Sequence, residues 1–249
     1  MIRLYLHEVR SQQILFWKTY EAAFFTFLLP IILLVTFTLV YGSAEIDNTK
    51  GSTFILSGMI SYGIAASAFG GGITIIVRRE SGVLKRVRGT PIPPAIHLAG
   101  LITSMLIAVS INIFAQTLIS HYVFGTPWPI SPTLFVFGII LGVTTLAAFG
   151  IAMTGLIRSA EGSSAFMNAI SLPMIFLSGA FFPTTSMPSF LQAISDVLPL
   201  TYLVHMLRDA FLTGNTLAAQ GTNIGALLAW ATVALILALR TFSWEPREL

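Results

Sequence analysis

The sequence contains no cysteine and few charged residues. Without cysteine the chain forms no disulfide, holds no thiolate-bound metal and has no cysteine nucleophile. Charged residues make up 9% of the chain and hydrophobic residues 55%, with a mean hydropathy of +0.85, whereas about a quarter of the residues of an average soluble domain are charged. A soluble fold cannot cover so much apolar surface, so the composition indicates an integral membrane protein.

The motifs of common catalytic centres are also absent from the sequence. There is no G-x-x-x-x-G-K-[ST] phosphate-binding loop, so the chain is not itself an ATPase. It has neither a G-x-S-x-G nucleophile elbow nor an H-E-x-x-H zinc helix. We therefore expect no catalytic residue, no metal site and no cofactor bound by this chain. Because the first apolar run follows a polar segment, we also expect no cleavable signal peptide.

Long apolar runs predict six membrane-spanning helices. A helix needs about 20 apolar residues to cross the hydrocarbon core, and the 249 residues of the chain leave room for about six spans with short loops. We therefore expect an all-α membrane protein, a six-helix bundle that forms one transmembrane domain over residues 1–249. The predicted spans are Ala22–Tyr41, Phe54–Val77, Leu98–Ser120, Thr133–Ile157, Ser164–Phe182 and Thr222–Leu239.

The predicted spans contain no Asp, Glu, Lys, Arg or His. Ion-driven transporters generally need an ionisable or ion-coordinating group at membrane depth, although unwound backbone can also bind an ion. If this chain moves a cargo uphill, we therefore infer that the energy enters from outside the bilayer.

Basic residues are distributed unevenly among the loops, and this predicts the orientation of the chain. An even number of spans places both termini on one side, and cytoplasmic loops carry an excess of Lys and Arg. We therefore expect a multi-pass protein of the cell membrane with both termini in the cytoplasm. The basic residues of the predicted cytoplasmic side are Arg3, Arg10, Lys18, Arg78, Arg79, Lys85, Arg86, Arg88, Arg158, Arg240 and Arg247, against Lys50 and Arg208 on the other side.

Residues 1–21 predict an amphipathic helix in the plane of the membrane interface. Anchoring to the membrane accounts for such a helix, and transmission of force to the first span is the alternative. Its apolar face consists of Ile2, Tyr5, Leu6, Val9 and Phe16, with Arg3, His7 and Arg10 opposite.

The loop between the second and third spans, residues 78–97, is longer and more patterned than a minimal turn. Val83, Leu84 and Val87 fall on one helical face, and turn-forming glycine and proline residues bound the segment. One interpretation is a basic anchor lying on anionic lipid. The other is a short cytoplasmic helix that docks into another protein, and charge alone does not separate the two.

Four polar residues lie inside the predicted spans in pairs at helical spacing. Ser57 and Ser61 are four residues apart in the second span, as are Asn112 and Gln116 in the third, so each pair shares one helix face. Hydrogen bonding between helices is one use for them. A polar lining for a substrate path is the other.

The outer loop between the fifth and sixth spans, residues 183–221, retains helical periodicity. Its two apolar stripes are too short to span the membrane, so we expect short re-entrant or surface helices over the outer end of the bundle. Arg208 is expected to face water or a neighbouring acidic residue. These helices either cap the bundle for stability or form an exit gate, for which Pro199, Tyr202 and Arg208 are the candidates.

Three segments together carry a family resemblance. They are the interfacial N-terminal segment, the run Arg79-Glu80-Ser81-Gly82-Val83-Leu84-Lys85-Arg86 followed by Thr90-Pro91, and the stretch Leu198-Pro199-Leu200-Thr201-Tyr202 leading to Leu207-Arg208. With these segments the chain resembles, over essentially its whole length, the membrane-spanning subunits of type-2 ABC exporters, which include drug-resistance and polysaccharide-export permeases.

The resemblance implies that the element beginning near Arg79 is a coupling helix, seated in a groove of a separate ATP-binding subunit that holds ATP and magnesium. Many members of the family carry an acidic residue near position 85, where this chain has Lys85. The residues expected to contact the ATPase are Arg79, Glu80, Gly82, Leu84, Lys85 and Arg86.

The resemblance also implies a permease dimer, formed with a second copy or a related permease, surrounded by membrane lipid and without a nucleic-acid partner. It favours export of a hydrophobic or amphiphilic cargo, drug or lipid-like, with ATP hydrolysed by the partner subunit. Two alternatives stay open, a permease for polysaccharide or glycolipid export and a membrane assembly protein that transports nothing.

Overall fold

The computed structural model describes residues 2–20, 24–89, 92–157 and 159–241. The helices are α1 (Ile2–Lys18), α2 (Leu29–Tyr41), α3 (Gly51–Glu80), α4 (Val83–Arg88), α5 (Pro94–Phe124), α6 (Pro132–Thr154), α7 (Ser163–Leu177), α8 (Ser189–Ser195), α9 (Pro199–Leu212) and α10 (Gly221–Thr241). A π-helical turn at Phe24–Leu28, two 3₁₀ turns at Thr184–Ser186 and Leu217–Gln220, and the two-residue strands β1 (Glu45–Ile46) and β2 (Thr49–Lys50) complete the elements. The all-α prediction is confirmed. Ala22, Thr90, Pro91, Arg158 and Arg247, on which sequence predictions fell, lie outside the described residues.

Four helices, α3, α5, α6 and α10, are long and apolar enough to cross a membrane, and α8 with α9 pass the same test as one pair bent by 85°. The other two predicted spans correspond to the shorter apolar helices Thr26–Tyr41 and Ser163–Leu177. At a rise of 1.5 Å per residue these reach about 22 to 24 Å, less than the roughly 30 Å hydrocarbon core. By length and composition, the described residues therefore provide four to five spans rather than the predicted six.

Each of the two short helices adjoins a break in backbone regularity. The π-helical turn Phe24–Leu28 leads directly into α2, and Pro30 is the second residue of α2, where it supplies no backbone N–H. At its other end α7 is followed by Gly179 with φ +82°, a left-handed conformation that favours glycine. Hydropathy does not register such breaks.

The centre of the bundle is α3, which packs against α2, α5, α6, α7 and α9. Glycines bring it close to its neighbours. A Cβ on Gly150 of α6 would lie 2.5 Å from the carbonyl oxygen of Ala68, and one on Gly58 would lie 1.9 Å from that of Ala180. These distances are too short for any side chain, so the backbones approach through small residues, as is common between membrane helices.

Two groups of elements mark the opposite ends of the bundle. The antiparallel β1–β2 hairpin joins α2 to α3, and its turn residues Asp47 and Asn48 have φ 52° and 56°, as a type I′ turn requires. Thr185 donates a hydrogen bond to Asp47 at 3.3 Å, so the hairpin and the outer loop 183–221 share one end. At the opposite end, α4 follows α3, and α1 lies against the first half of α5.

Candidate functional site

A sharp turn joins α3 to the short helix α4. Gly82 adopts φ +73°, a left-handed conformation that glycine reaches without steric cost. A Cβ at this position would meet no atom within 4 Å, so backbone conformation rather than space explains the glycine. The helix that follows, Val83–Arg88, lies inside the loop 78–97, where one interpretation of the sequence placed a short helix.

The two sides of α4 face different surroundings. Leu84 is 1% exposed and packs in an apolar cluster that includes Ile75 of α3 and Ile151 of α6. Lys85 and Arg86 are exposed. Leu84 therefore fixes α4 to the bundle, and the two basic residues form a surface that a partner can reach.

Arg79 belongs to the last turn of α3 and is 1% exposed. Its guanidinium donates hydrogen bonds to the carbonyl oxygens of Thr154 at 3.2 Å and Ile157 at 2.7 Å. Its Nε donates to Glu80 Oε1 at 2.9 Å. Of the six residues predicted to contact an ATPase, Arg79 and Leu84 therefore face the protein interior, whereas Lys85 and Arg86 face outward.

The N-terminal helix α1 is joined to α5 by polar contacts. Tyr5 Oη lies 2.6 Å from Thr103 Oγ1, and Gln13 Nε2 donates to the carbonyl oxygen of Ser104 at 2.7 Å. Ile2, on the predicted apolar face, remains exposed. The helix therefore lies on the outside of the bundle and is joined to it through polar residues.

A buried polar network, which the sequence did not predict, connects α1 with both ends of the loop that holds α4. Gln12 Nε2 donates to Glu8 Oε1 at 2.7 Å, and a guanidinium nitrogen of Arg78 donates to Gln12 Oε1 at 2.6 Å. His97 Nδ1 lies 2.9 Å from the same oxygen of Glu8. The available signal was the i, i+4 spacing of Glu8 and Gln12 on the polar side of α1.

The four residues considered for a substrate path lie inside the bundle, and each is at most 1% exposed. The hydroxyls of Ser57 and Ser61 donate to backbone carbonyls of α3 itself, both at 2.9 Å. Asn112 Nδ2 donates to the carbonyl oxygen of Phe27 at 3.0 Å, and Gln116 Nε2 donates to Asn112 Oδ1 at 2.5 Å. Asn112 thus makes a hydrogen bond between helices, and a path along these residues requires the helices to separate.

At the end of the bundle that holds the β1–β2 hairpin, Arg208 of α9 points into the protein. It is 9% exposed, donates to the carbonyl oxygen of Gly179 at 2.9 Å, and lies 3.8 Å from the centre of the Phe54 ring. Its Nε is 3.4 Å from Ser57 Oγ. The expectation that Arg208 faces water or an acidic neighbour is therefore wrong, because backbone oxygen and an aromatic face take the place of an acid.

The other two predicted gate residues shape the bend between α8 and α9. Pro199 is the first residue of α9, where its fixed φ suits a helix start. The Tyr202 hydroxyl donates to the carbonyl oxygen of Asp196, and Thr201 Oγ1 donates to that of Ser195 at 2.7 Å. Pro199 and Tyr202 therefore fix the bend, and Arg208 joins α9 to the first half of α3.

An apolar crevice of about 530 Å³ lies between α5 and α6. Small-molecule sites in proteins have volumes of about 300 to 1,000 Å³ and mostly apolar walls, so the crevice can accommodate an apolar group of that size. The sequence did not predict it. Its lining includes Ile113, Phe114, Trp128, Phe135 and Ile139.

Together these features define a multi-pass α-helical membrane protein with a short basic helix attached to one end of the bundle and a folded cap at the other. Residues 5–212 match the family described as ABC-2 type transporter, which is well over half of the chain. The chain therefore belongs to this family, and the resemblance inferred from three segments is confirmed. Permeases of the family work with an ABC ATPase subunit in transporters.

Several named proteins are similar to this chain. The linearmycin resistance permease protein LnrN of Bacillus subtilis (strain 168) is 26% identical over 171 residues, covering 67% of this chain and 43% of LnrN. Nodulation protein J of Rhizobium meliloti (strain 1021) is 35% identical over 100 residues, or 39% and 38% of the two chains. The putative transport permease ycf38 of Pyropia yezoensis is 24% identical over 216 residues, which cover 83% of this chain and 72% of ycf38. The matches thus span less than half the length of LnrN and of nodulation protein J.

Proposed function

We propose that this chain is the membrane-spanning subunit of an ATP-driven exporter, and that α4 is the coupling helix that docks onto a separate ABC ATPase. The observation that carries the proposal is the two-sided environment of α4. Leu84 attaches the helix to the bundle, while Lys85 and Arg86 are exposed. A docking helix needs both properties, because it must contact a partner and also transmit the displacement it receives.

The proposed topology has six crossings with both termini in the cytoplasm. The π-helical turn Phe24–Leu28 would extend α2, and the residues after α7 would complete the fifth crossing. Introduced cysteines test this orientation, because the chain has none of its own. A membrane-impermeant thiol reagent should label Asn48→Cys in the outer hairpin of intact cells, and Ser159→Cys only after permeabilisation. The opposite pattern would contradict the proposed orientation.

ATP and magnesium bind to the partner ATPase in this proposal. The exposed surface of α4 is basic, through Lys85 and Arg86, so the groove that receives it is expected to be acidic. Complementary charges of this kind guide association and select the partner. Many members of the family carry an acidic residue near position 85, so the reversed charge matches this permease to its own ATPase.

A second permease, either a copy of this chain or a relative, would complete the transporter. The exposed face of α7 supports contact with a second permease. It includes the polar Asn168 as well as the apolar Phe166 and Leu172. A carboxamide facing lipid is unfavourable, and contact with a neighbouring helix would remove it from the hydrocarbon.

We propose a hydrophobic or amphiphilic cargo, drug or lipid-like, that leaves the cell. The apolar crevice between α5 and α6 is of a suitable size and composition. The names of two relatives, a linearmycin resistance permease and the probable multidrug ABC transporter permease YbhS of Escherichia coli, are consistent with such a cargo.

The decisive experiment is purification of the chain in mild detergent, identification of its partners, and reconstitution in liposomes. We expect an ABC ATPase to co-purify, and Lys85→Glu with Arg86→Glu to release it. The matched control is Arg3→Glu with Arg10→Glu, which changes the charge equally on exposed positions of α1. Absence of an ABC ATPase, or equal loss in both variants, would refute the proposal. Stimulation of ATP hydrolysis by maltoheptaose rather than by ethidium or a short-chain phosphatidylcholine would favour the polysaccharide alternative.

A further inference from the structure

The last turn of α3 carries two successive arginines that contact different parts of the protein. Arg78 donates to Gln12 of α1, and Arg79 donates to backbone carbonyls at the end of α6. Neighbouring residues on a helix point in different directions, so the pair reaches two elements on different sides of α3. Both contacts originate within five residues of α4.

The contact made by Arg79 is well suited to hold the end of α6. The last carbonyls of a helix have no intrahelical donor, and the helix dipole places negative charge there. Arg79 supplies two N–H donors, to Thr154 and Ile157, and Glu80 holds the guanidinium from the other side at 2.9 Å. Because Arg79 is buried, water does not compete for these groups.

The same region binds α4. Ser81 and Gly82 alone separate Glu80 from Val83, and Leu84 packs in one cluster with Ile151 and Ala152 of α6. The end of α3, the helix α4 and the end of α6 therefore form one packed unit.

Sliding of α3 against α6 is restricted further along the two helices. A Cβ on Gly72 would lie 2.9 Å from the carbonyl oxygen of Gly150, which shows that the two backbones are in direct contact there. A displacement of α4 therefore has a short, rigid route to the end of α6 and to residues 155–157 that follow it.

We propose that Arg79 is a positioning residue that makes the coupling helix and the inner end of α6 move as one body, so that a displacement of α4 reaches the junction between α6 and α7. Arg78 joins the same point to α1. This inference rests on the proposed function, since an ATPase must displace α4. It also reassigns Arg79 from contact with the ATPase to transmission inside the permease.

The test uses pairs of introduced cysteines carrying nitroxide labels, in the permease–ATPase complex in lipid nanodiscs. One pair, Ser81→Cys with Ser159→Cys, joins the turn before α4 to the segment after α6, and both positions are exposed. We expect this distance to be narrow and equal without nucleotide and after trapping with ATP and vanadate. In Arg79→Gln we expect it to broaden and to change with nucleotide.

A second pair reports on the outer end, with labels at Asn48 and Asn215. We expect trapping with ATP and vanadate to change this distance in the wild type and not in Arg79→Gln, although the variant still binds the ATPase. A purely structural role for Arg79 would not produce this selective loss. If Arg79→Gln keeps both wild-type behaviours, the inference is overturned.

Arg78→Gln is the matched control. It should leave the 81–159 distance unchanged and instead accelerate amide exchange in α1. If Arg79→Gln fails to assemble, Arg79→Lys replaces it in the test. Lysine keeps the positive charge but can donate to fewer carbonyl oxygens at once. Wild-type distances in Arg79→Lys would then overturn the inference. If the wild-type chain binds no ABC ATPase, both the proposed function and this inference fail. If Arg79→Gln binds the ATPase normally and shows wild-type distances, only this inference is overturned.

Discussion

Replacement of Leu84 by alanine removes the side chain that fixes α4 to the bundle. A buried Leu→Ala change costs about 2 to 5 kcal/mol, through lost burial and the cavity left behind. The helix has six residues, far fewer than the roughly 12 to 15 that an isolated helix needs for stability in water. We therefore expect Leu84→Ala to undock α4 without unfolding the membrane bundle.

The size of the effect follows from this range. A factor of ten corresponds to about 1.4 kcal/mol, so a loss of about 3 kcal/mol increases the undocked population by roughly 100-fold. Amide hydrogen exchange measures it directly, because the Gly89 N–H is bonded to the carbonyl oxygens of Lys85 and Arg86 and exchanges when α4 opens. We expect peptides covering residues 83–89 of the purified permease to exchange roughly 100-fold faster, in line with the same conversion.

Val83→Ala is the control on the same helix. Val83 is 41% exposed, and surface changes usually alter stability by less than about 0.5 kcal/mol. Its exchange should stay within about threefold of the wild type by the same conversion. If Leu84→Ala exchanges no faster than Val83→Ala, then Leu84 does not hold α4, and the argument for a rigidly attached coupling helix is refuted.

Three further changes test other parts of the bundle. Gly58→Ala places a Cβ 1.9 Å from a backbone oxygen, so we expect a clearly lower thermal unfolding midpoint in detergent. Gly70 has open space around it, so the midpoint of the control Gly70→Ala should match or slightly exceed that of the wild type. Arg208→Gln should loosen the outer end, and we expect faster labelling of an introduced Ser61→Cys by an impermeant thiol reagent; an unchanged rate would contradict the role given to Arg208. Asn112→Leu should lower the unfolding free energy by about 0.6 to 1.7 kcal/mol, the range for hydrogen bonds between membrane helices, and a denaturant titration that shows no loss would contradict this.

The sequence predicted the membrane class, the four full-length helices and the short helix α4, because these depend on local pattern. Apolar runs mark α3, α5, α6 and α10, and Gly82 marks the turn before α4. The apolar face predicted for α4 is only partly right, because Leu84 is buried whereas Val83 is 41% exposed. The predictions for α2 and α7 are not confirmed as full crossings in the described residues, and neither the π-helical turn Phe24–Leu28 nor the left-handed Gly179 changes the hydropathy of its run.

The inward orientation of the arginines was beyond sequence reasoning. Arg79 and Arg208 are bound mainly by backbone carbonyls, of Thr154, Ile157 and Gly179, and a carbonyl oxygen is present at every position of a sequence. Arg79 also pairs with Glu80, its neighbour in the sequence, but the backbone partners of the two arginines follow from no residue pattern. Both resemble ordinary loop charges when only their spacing is considered.

The polar network of α1 was missed for a related reason. Glu8 and His97 are brought together by the docking of α1 on α5, and a helix predicted to lie on the membrane surface gives no indication of which helix it will contact. Residues paired across such separations become visible only once the packing is known.

The left-handed residue Gly82 has a mechanical consequence. An α-helix does not continue through such a residue. The helices α3 and α4 are therefore separate, and only Ser81 and Gly82 join them. Leu84 packs α4 against the end of α6, and Arg79 bonds the end of α3 to the same place. A substitution that strains this turn would therefore disturb the attachment of α4 without altering either of those two side chains.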